Sequence, residues 1–333
     1  MMIPEIDAPP LQRQRTGIEI IEIPDHVIAV SNISKGFLYK LLEQAKVMEY
    51  LVKSKGGDDR LKGKVLAALF YEPSTRTSCS FQAAMQRLGG SVICVNEKDS
   101  SAQKGETIED TIQTLSCYCD AIVIRNPMKG SALLAASVAT KPVINAGDGT
   151  GEHPTQALLD VFTIQSELGT VGSINPSKPM IVSVVGDLKH GRTVHSLVKL
   201  LCLFSGVKVQ YVSPESLSIP DEVKNELRDK GLEQNVVSLD EAIVNSDVLY
   251  VTRIQKERFT TLEEYEKVAG CYVIDAKLME KAKAKMIVMH PLPRNSEIAK
   301  DVDKDPRAAY FRQMENGMYM RMALLDLIFS RPV

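Results

Sequence analysis

One stretch constrains the fold of this chain more than any other, the residues Phe-Tyr-Glu-Pro-Ser-Thr-Arg-Thr at 70–77. The apolar run 64–70 leads into it without polar alternation, which is typical of a strand buried on both faces of a parallel sheet. Beyond it, the apolar residues of 78–88 recur at the spacing of one helical face: Phe81, Ala84, Met85 and Leu88. The stretch is therefore predicted to turn from a buried strand into a helix.

The start of that predicted helix has the chemistry of an anion site. Ser74 can cap the helix, and the N–H groups of the next residues have no partner within it. These N–H groups and the positive end of the helix dipole favour a phosphate. Thr75 and Thr77 add hydroxyls, and Arg76 can hold two oxygens at once. The alternative is an ordinary capped helix without a ligand, because serine and threonine are common caps.

Length and composition set the class of protein. A chain of 333 residues is long for one hydrophobic core, so two domains are expected. With 44% hydrophobic residues, 25% charged residues and a net charge of −2, it shows no sign of a nucleic-acid or anionic membrane surface. No signal region or membrane-spanning run is seen, so a cytoplasmic location is expected. The six cysteines lack a CxxC spacing, which favours buried free thiols over disulfides or a zinc site.

Predicted strands and helices alternate along the chain in two series, separated by a segment at 169–178 that is rich in glycine, serine and proline. This alternation predicts parallel sheets, in which ligands bind at the carboxyl ends of the strands. The predicted fold class is α/β, with two doubly wound parallel-sheet domains joined by helices. The predicted strands are 64–70, 91–95, 121–124, 142–145, 180–185, 207–212, 247–252 and 286–289.

Polar residues follow several of these strands. Arg125 ends the strand 121–124, and His153 and Gln156 open a helix after a glycine-rich loop. A lone histidine is more often a satisfied polar residue than a catalytic one, yet its position on the ligand side of the sheet leaves both interpretations open. Arg192 opens the helix after the strand 180–185. That turn superficially suggests a dinucleotide fold but lacks G-x-G-x-x-G and the expected acidic residue.

Three further segments stand out. The polar loop 96–107 is by itself more typical of solvated surface than of an anion site. The turn 290–294 contains two prolines, so it has few N–H groups and can present carbonyl oxygens to an amine. The last helix, predicted to start at 305–306 and to end near 329, carries an apolar stripe that is more typical of core packing than of a ligand site. The stripe consists of Tyr310, Met314, Met318, Met322 and Leu325.

Six motifs, in this order, resemble the aspartate/ornithine carbamoyltransferase family, and within it the catalytic chains that act on aspartate. The resemblance runs from about residue 30 to the C-terminus. Arg253-x-Gln255 and Leu292 separate the aspartate branch from the ornithine branch, which usually shows His-Cys-Leu-Pro at the last motif. The motifs are Glu-Pro-Ser-Thr-Arg-Thr (72–77), Gln-Lys-Gly-Glu-Thr (103–107), His-Pro-Thr-Gln (153–156), Gly-Asp-Leu-Lys-x-Gly-Arg-Thr-Val-His-Ser (186–196), Thr-Arg-x-Gln-Lys-Glu-Arg (252–258) and His-Pro-Leu-Pro-Arg (290–294).

The resemblance implies an enzyme, a transferase that converts carbamoyl phosphate and L-aspartate into N-carbamoyl-L-aspartate and phosphate, the committed step of de novo pyrimidine biosynthesis. It implies no metal and no cofactor. Residues 1–150, with the C-terminal helix 306–330, would bind carbamoyl phosphate, and residues 151–305 would bind aspartate. It also implies a homotrimer with shared active sites, and in animals such a domain is part of a larger multifunctional polypeptide.

The resemblance also assigns roles to individual residues. The phosphate would be held by Ser74, Thr75, Arg76, Thr77 and Arg125, and the carbamoyl oxygen by Thr77, Arg125 and His153. The carbamoyl nitrogen would be held by Gln156 and the carbonyls of Leu292 and Pro293. The aspartate carboxylates would be bound by Arg192, Arg253 and Gln255, with Lys104 and Leu292 also near aspartate. Ser100, rather than Ser101, and Lys104 would enter a neighbouring subunit's site.

Two departures from the family pattern are Asn126, where many relatives have histidine, and His190, where bacterial chains often have tyrosine. The second bears on how the loop 187–192 closes. Two alternatives remain open at this point: a carbamoyltransferase for another amine, and a non-catalytic regulatory or scaffold paralogue. Arg253 with Gln255 argues against another amine acceptor. The presence of all the cationic residues and the histidine that the resemblance assigns to the site argues against a non-catalytic paralogue.

Overall fold

The computed structural model describes residues 21–96, 101–175 and 177–331, where strands and helices alternate. The strands are β1 Val65–Phe70, β2 Ser91–Asn96, β3 Ala121–Asn126, β4 Val143–Asp148, β5 Met180–Val185, β6 Val207–Val212, β7 Glu233–Val236, β8 Val248–Val251 and β9 Ile287–Met289. The helices are α1 Lys35–Lys55, α2 Thr75–Arg87, α3 Ile108–Ser116, α4 Ser131–Val138, α5 Pro154–Leu168, α6 Arg192–Leu201, α7 Asp221–Asp229, α8 Leu239–Asn245, α9 Leu262–Glu266, α10 Ala276–Met279 and α11 Tyr310–Phe329.

These strands form two sheets in which every described pairing is parallel. The first sheet has the order β2-β1-β3-β4, and the second has the order β7-β6-β5-β8-β9. In each sheet, the direction in which successive strands are added reverses once. The reversal lies between β1 and β3 in the first sheet and between β5 and β8 in the second. Such a switch point opens a crevice at the carboxyl ends of the two strands. The predicted α/β class with two parallel sheets is confirmed.

The last helix, α11, packs against α1 and α2, which belong to the first sheet, and against α5. Its buried side chains join a hydrophobic core that includes Phe37 of α1, Phe81 of α2 and Phe162 of α5, each with no exposed surface. The helix therefore returns to the first sheet, as predicted. The division of the chain at 150 and 305 into two binding domains stays a prediction.

Local signals explain where several helices begin and end. Ser34 caps α1, because its Oγ accepts a hydrogen bond of 3.1 Å from the Phe37 N–H. Gly56 ends α1 with a φ of 81°, a left-handed conformation that glycine adopts without steric cost. Ser74 takes the N-cap position of α2, but its side chain makes no capping hydrogen bond with the helix. The predicted capping role of Ser74 is therefore wrong, and its hydroxyl is left for other partners.

Other details differ from the sequence predictions. α11 begins at Tyr310 rather than at 305–306. The helical stretch expected at 275–283, before the last predicted strand, is only the short helix α10, Ala276–Met279. The apolar stripe of α11 is buried at Met322, but Met314 and Met318 are half-buried and line a cavity. The stripe is thus only partly core packing, because the cavity reaches that face of the helix.

The segment 213–246, for which no elements were predicted, holds α7, β7 and α8. The first 30 residues are proline-rich and then β-branched, a composition that predicts an arm or edge strand, and residues 1–20 lie outside the described residues. Val27 forms an isolated bridge with Ile144 of β4. Among the described helices, none is both long enough and apolar enough to cross a membrane.

The six cysteines are free thiols, as predicted, but the prediction that they are buried is wrong for most of them. Cys119 is buried, whereas four others are exposed. The exposed residues are Cys79, Cys94, Cys117 and Cys271.

Candidate active site

A cavity of about 630 Å³ opens where the carboxyl ends of strands from both sheets face each other. From the first sheet, its wall takes the β1–α2 turn and Arg125 of β3. From the second sheet, it takes the start of α6 and the residues that follow β8 and β9. The cavity therefore lies at the switch points of both sheets, where parallel folds bind ligands.

Most of the residues that the sequence assigned to a site line this cavity. Thr75 and Lys104 are exposed, and neither is among the described residues that line it. Ser100 lies outside the described residues, so its predicted role stays a prediction. The assigned residues that line the cavity are Ser74, Arg76, Thr77, Arg125, His153, Gln156, Arg192, Arg253, Gln255, Leu292 and Pro293.

The carboxylate of Glu72 links two of the arginines. Its Oε2 accepts hydrogen bonds from Arg125 Nε at 3.1 Å and from Arg192 Nη2 at 3.3 Å. Arg192 Nη1 also donates to the Gly149 carbonyl at 2.6 Å. Glu72 belongs to the first motif, but the sequence reasoning gave it no role. The acid beside a cationic turn was the available signal, since partly buried arginines need a charged partner.

The cavity concentrates positive charge. Burial lowers the pKa of Arg125 to about 10, and the neighbouring charge of Arg192 acts in the same direction. Burial also lowers the pKa of Arg192, and the pKa of Arg76 falls through burial and the nearby charge of Arg253. An arginine with a pKa near 10 is still cationic at neutral pH. The wall therefore suits a ligand with several negative charges.

His153 at the start of α5 is a neutral imidazole at neutral pH. It is almost completely buried, and burial lowers its pKa well below the usual range. The positive charges of Arg125, Arg192 and Arg321 lower the pKa further. A neutral ring keeps one N–H, which can donate to a carbonyl oxygen without adding a fourth positive charge.

Glycine permits two close approaches behind this wall. At Gly186, which has a φ of 117°, a Cβ would lie 2.2 Å from the Thr252 carbonyl oxygen, so only glycine lets the end of β5 touch the end of β8. At Gly147, which has a φ of 115°, a Cβ would lie 3.0 Å from Arg192 Cζ. Glycine therefore leaves the space that the Arg192 guanidinium occupies.

The turn after β9 is shaped by its own histidine. His290 is buried, and its Nδ1 accepts a hydrogen bond of 2.7 Å from the Leu292 N–H. Leu292 has a φ of 54°, and the Leu292–Pro293 peptide is cis. Leu292 and Pro293 both line the cavity, and their predicted contact with the carbamoyl nitrogen stays a prediction.

Two buried ionisable residues near the cavity were missed by the sequence reasoning. Arg321 of α11 lines the cavity with 3% of its surface exposed, and its Nε has no hydrogen-bond partner among the described residues. Its guanidinium carbon lies 5.0 Å from the centre of the Phe81 ring. Asp160 of α5 is completely buried. A charged residue inside an apolar helical run was the available signal, because charges are seldom buried without partners.

The two departures from the family pattern lie beside the site. His190 Nδ1 lies 3.2 Å from both carboxylate oxygens of Asp187, and its carbonyl accepts a hydrogen bond of 3.4 Å from Gln255 Nε2. Its ring also contacts the ring of Phe259. Asn126 Oδ1 accepts from the Met128 N–H at 2.8 Å. Asn126 therefore shapes its own loop and leaves Arg125 in the cavity wall.

Models of one protein family match both halves of the chain. Residues 25–166 match the aspartate/ornithine carbamoyltransferase, carbamoyl-P binding domain, and residues 179–328 match the Asp/Orn binding domain of the same family. The chain belongs to the aspartate/ornithine carbamoyltransferase family. The resemblance inferred from the six motifs is confirmed.

Curated members of the carbamoyltransferase family are similar along most of this chain. The multifunctional protein pyr1-3 of Dictyostelium discoideum is 59% identical over 309 residues, which are 92% of this chain but 14% of that protein. The chain therefore spans about one seventh of the length of this multifunctional relative. The aspartate carbamoyltransferase catalytic subunit of Thermoplasma volcanium is 49% identical over 305 residues, 91% of this chain and 98% of that subunit.

Solved carbamoyltransferase structures share the fold. The catalytic subunit of M. jannaschii aspartate transcarbamoylase has a TM-score of 0.83 and 46% sequence identity, covering 92% of this chain and 98% of that one. Aspartate transcarbamoylase from Trypanosoma cruzi, solved in complex with carbamoyl phosphate and aspartate, has a TM-score of 0.85 and 46% identity. That match covers 91% of this chain and 96% of the other.

Proposed function

We propose that this chain transfers the carbamoyl group of carbamoyl phosphate to the amino group of L-aspartate. The products are N-carbamoyl-L-aspartate and phosphate, and the reaction serves de novo pyrimidine biosynthesis. The first sheet and α11 contribute the carbamoyl phosphate side of the site, and the second sheet contributes the aspartate side.

The observation that carries this proposal is the convergence of four arginines from two sheets on one cavity. Arg76 and Arg125 come from the first sheet, and Arg192 and Arg253 come from the second. A phosphate and two carboxylates together need this many cationic partners, and arginine can bind each group through two parallel hydrogen bonds. A single ligand with one negative charge would not need arginines from both sheets.

The chemistry follows from where the donors lie. When the aspartate nitrogen attacks the carbamoyl carbon, negative charge develops on the carbamoyl oxygen. Thr77, Arg125 and neutral His153 are the donors that stabilise this oxyanion. The carbon–oxygen bond to the phosphate then breaks, and the amine proton leaves with the phosphate. Holding both substrates between the two sheets removes much of the entropic barrier.

The test is the formation of carbamoyl aspartate from carbamoyl phosphate and L-aspartate, with ornithine and other amino acids as competing acceptors. Product is expected with aspartate and not with ornithine. Arg253→Ala should abolish the use of aspartate, while Arg228→Ala, an exposed arginine on α7, is the matched control and should act like the unchanged chain. Product from ornithine alone would refute the choice of acceptor. No product from any acceptor would favour the non-catalytic paralogue.

We further propose that the active chain is a homotrimer whose sites are shared. The support is the position of Lys104, at the end of a short 3-10 turn, Ser101–Lys104, where its side chain is exposed and away from the cavity of its own chain. A cation on such a loop stabilises its own fold little. It can, however, close over an anion bound in the active site of a neighbouring subunit and exclude water from that site. Ser100, which lies outside the described residues, would act with it.

Two inactive variants test this sharing. Lys104→Ala and Arg76→Ala should each be nearly inactive alone. When they are unfolded and reassembled together, mixed trimers should recover part of the activity, because some sites then combine an intact Lys104 with an intact Arg76. Each variant reassembled alone is the control. Verified mixed trimers without any recovery would place Lys104 in its own subunit's site or outside the reaction.

The similarity to one segment of multifunctional proteins also supports a place for this domain within a larger polypeptide. An antibody against the domain, applied to an extract of the source organism, measures this directly. A band several times heavier than 36.7 kDa is expected for a multifunctional protein. A band at that mass would indicate a free catalytic chain.

A further inference from the structure

The completely buried carboxyl of Asp160 is the centre of a hydrogen-bond network behind the cavity. Its Oδ1 accepts from Gln156 Nε2 at 2.8 Å and from Gln313 Nε2 at 2.6 Å. Its Oδ2 accepts from Tyr250 Oη at 2.9 Å. The three donors come from α5, α11 and β8, so one side chain ties together three separate elements of the fold.

The same network reaches the turn after β9. Gln313 Oε1 accepts from the His290 N–H at 2.9 Å, and His290 Nδ1 accepts from the Leu292 N–H at 2.7 Å. The other ring nitrogen of His290 lies 2.9 Å from Glu297 Oε1. This second contact fixes the tautomer, because Nδ1 must be the acceptor and Nε2 the donor. Asp160 is therefore connected, through Gln313 and His290, to the backbone of Leu292.

The direction of these hydrogen bonds decides what the cavity wall presents. Asp160 Oδ1 accepts from both glutamines, either as a carboxylate or with a proton held on Oδ2, so Gln156 turns its NH2 group toward Asp160. The Oε1 of Gln156 is then the end of the amide left for the cavity, which Gln156 lines. The His290 contact similarly directs the Leu292 N–H away from the cavity. The amide oxygen of Gln156 and the carbonyl groups of the Leu292–Pro293 turn are then the groups of these lining residues that can accept from an amino group.

We propose that Asp160 is a positioning residue that fixes these acceptors and so selects a carbamoyl group, which carries NH2, over an acetyl group, which carries a methyl. This inference rests on the proposed function, because it assumes that carbamoyl phosphate binds in this cavity. A methyl group of similar size leaves buried acceptors without a donor, and an unpaired buried polar group is costly. Without Asp160, the amide of Gln156 can rotate and offer its NH2, which removes that discrimination.

The test compares the binding of carbamoyl phosphate, acetyl phosphate and inorganic phosphate by calorimetry. For Asp160→Ala, the affinity for carbamoyl phosphate should fall about tenfold, which is the loss of one or two hydrogen bonds, while the affinities for acetyl phosphate and phosphate change less than about twofold. Asp160→Asn keeps an oxygen for the two glutamine amides. It should therefore retain most of the preference for carbamoyl phosphate.

Thr163→Val is the matched control. Thr163 lies one turn further along α5, is also completely buried, and accepts a hydrogen bond of 3.2 Å from Asn316 of α11. Its loss breaks a similar contact between α5 and α11 but should leave the preference between the two acyl phosphates unchanged. If Asp160→Ala does not fold, Gln313→Met cuts the link from Asp160 to the His290 turn and should also reduce the preference.

Two results would overturn the inference. Equal losses of affinity for all three ligands in Asp160→Ala, or in Gln313→Met if that variant is used, would reduce Asp160 to a structural role. A change of preference in Thr163→Val as large as that in the Asp160 variant would show a general effect of helix packing. A failure of the proposed function is distinguishable, because the unchanged chain would then bind neither acyl phosphate better than phosphate.

Discussion

Replacing Asp160 by asparagine should remove a specific part of the dependence of stability on pH. Burial raises the pKa of this carboxyl from 3.8 to about 7, although hydrogen bonds from Gln313, Tyr250 and Gln156 and the charge of Arg321 oppose the rise. In the unfolded chain the carboxyl ionises near its ordinary pKa. Between about pH 4 and pH 7 the folded state therefore binds more protons than the unfolded state.

The sign of the effect follows from this difference in bound protons. The free energy of unfolding falls as the pH rises through this window, because ionisation is harder in the folded state. A shift of about three units corresponds to about 4 kcal/mol over the whole window, and to about 2 kcal/mol between pH 5.5 and pH 8. Asp160→Asn has no such group. Relative to the variant, the unchanged chain should thus lose about 2 kcal/mol between these two pH values.

Urea unfolding of both chains at about pH 5.5 and pH 8, followed by circular dichroism, measures this quantity. All other titrating groups are present in both chains, so their contributions largely cancel in the difference between the two chains. The slope of unfolding against urea serves as the control, since an unchanged slope means that the folded and unfolded states expose the same surface. A stability difference that is the same at both pH values would refute the assignment of a raised pKa to Asp160.

Three further outcomes are expected. Glu72→Gln should destabilise the ligand-free chain by about 1–3 kcal/mol, because two arginines lose a charged partner. Phosphate should raise the melting temperature of this variant more than that of the unchanged chain. An equal rise in both would contradict this role of Glu72. Arg76→Ala should weaken the binding of inorganic phosphate about tenfold or more, whereas Arg253→Ala should leave this affinity nearly unchanged. Calorimetry with inorganic phosphate measures both affinities. Comparable losses would mean that the arginines do not divide the substrates. Raising the salt concentration should weaken carbamoyl phosphate binding less in Arg76→Ala than in the unchanged chain, because one charge contact is already missing.

Much of the fold could be predicted because its signals are local. The apolar run before residue 71 and the helical spacing after residue 77 are adjacent in the chain, so the turn between them is visible without any tertiary structure. The alternation of strand and helix predicted parallel sheets, and the rule for their carboxyl ends predicted which residues face a ligand. The segment 213–246 was missed because its short elements, such as β7, are half exposed and carry a weak apolar pattern.

The cationic and hydroxyl groups at the ends of the strands, and the family to which they point, can be read from the order of residues alone. How these groups are held depends on contacts that form only in the folded chain. Glu72 contacts Arg192 across 120 residues of sequence, and Asp160 meets Tyr250 across 90 residues and Gln313 across 153. Such partners have no shared local pattern. They are chosen by the packing of α5, α11 and β8, since a carboxyl excluded from water must find its donors wherever the fold brings them.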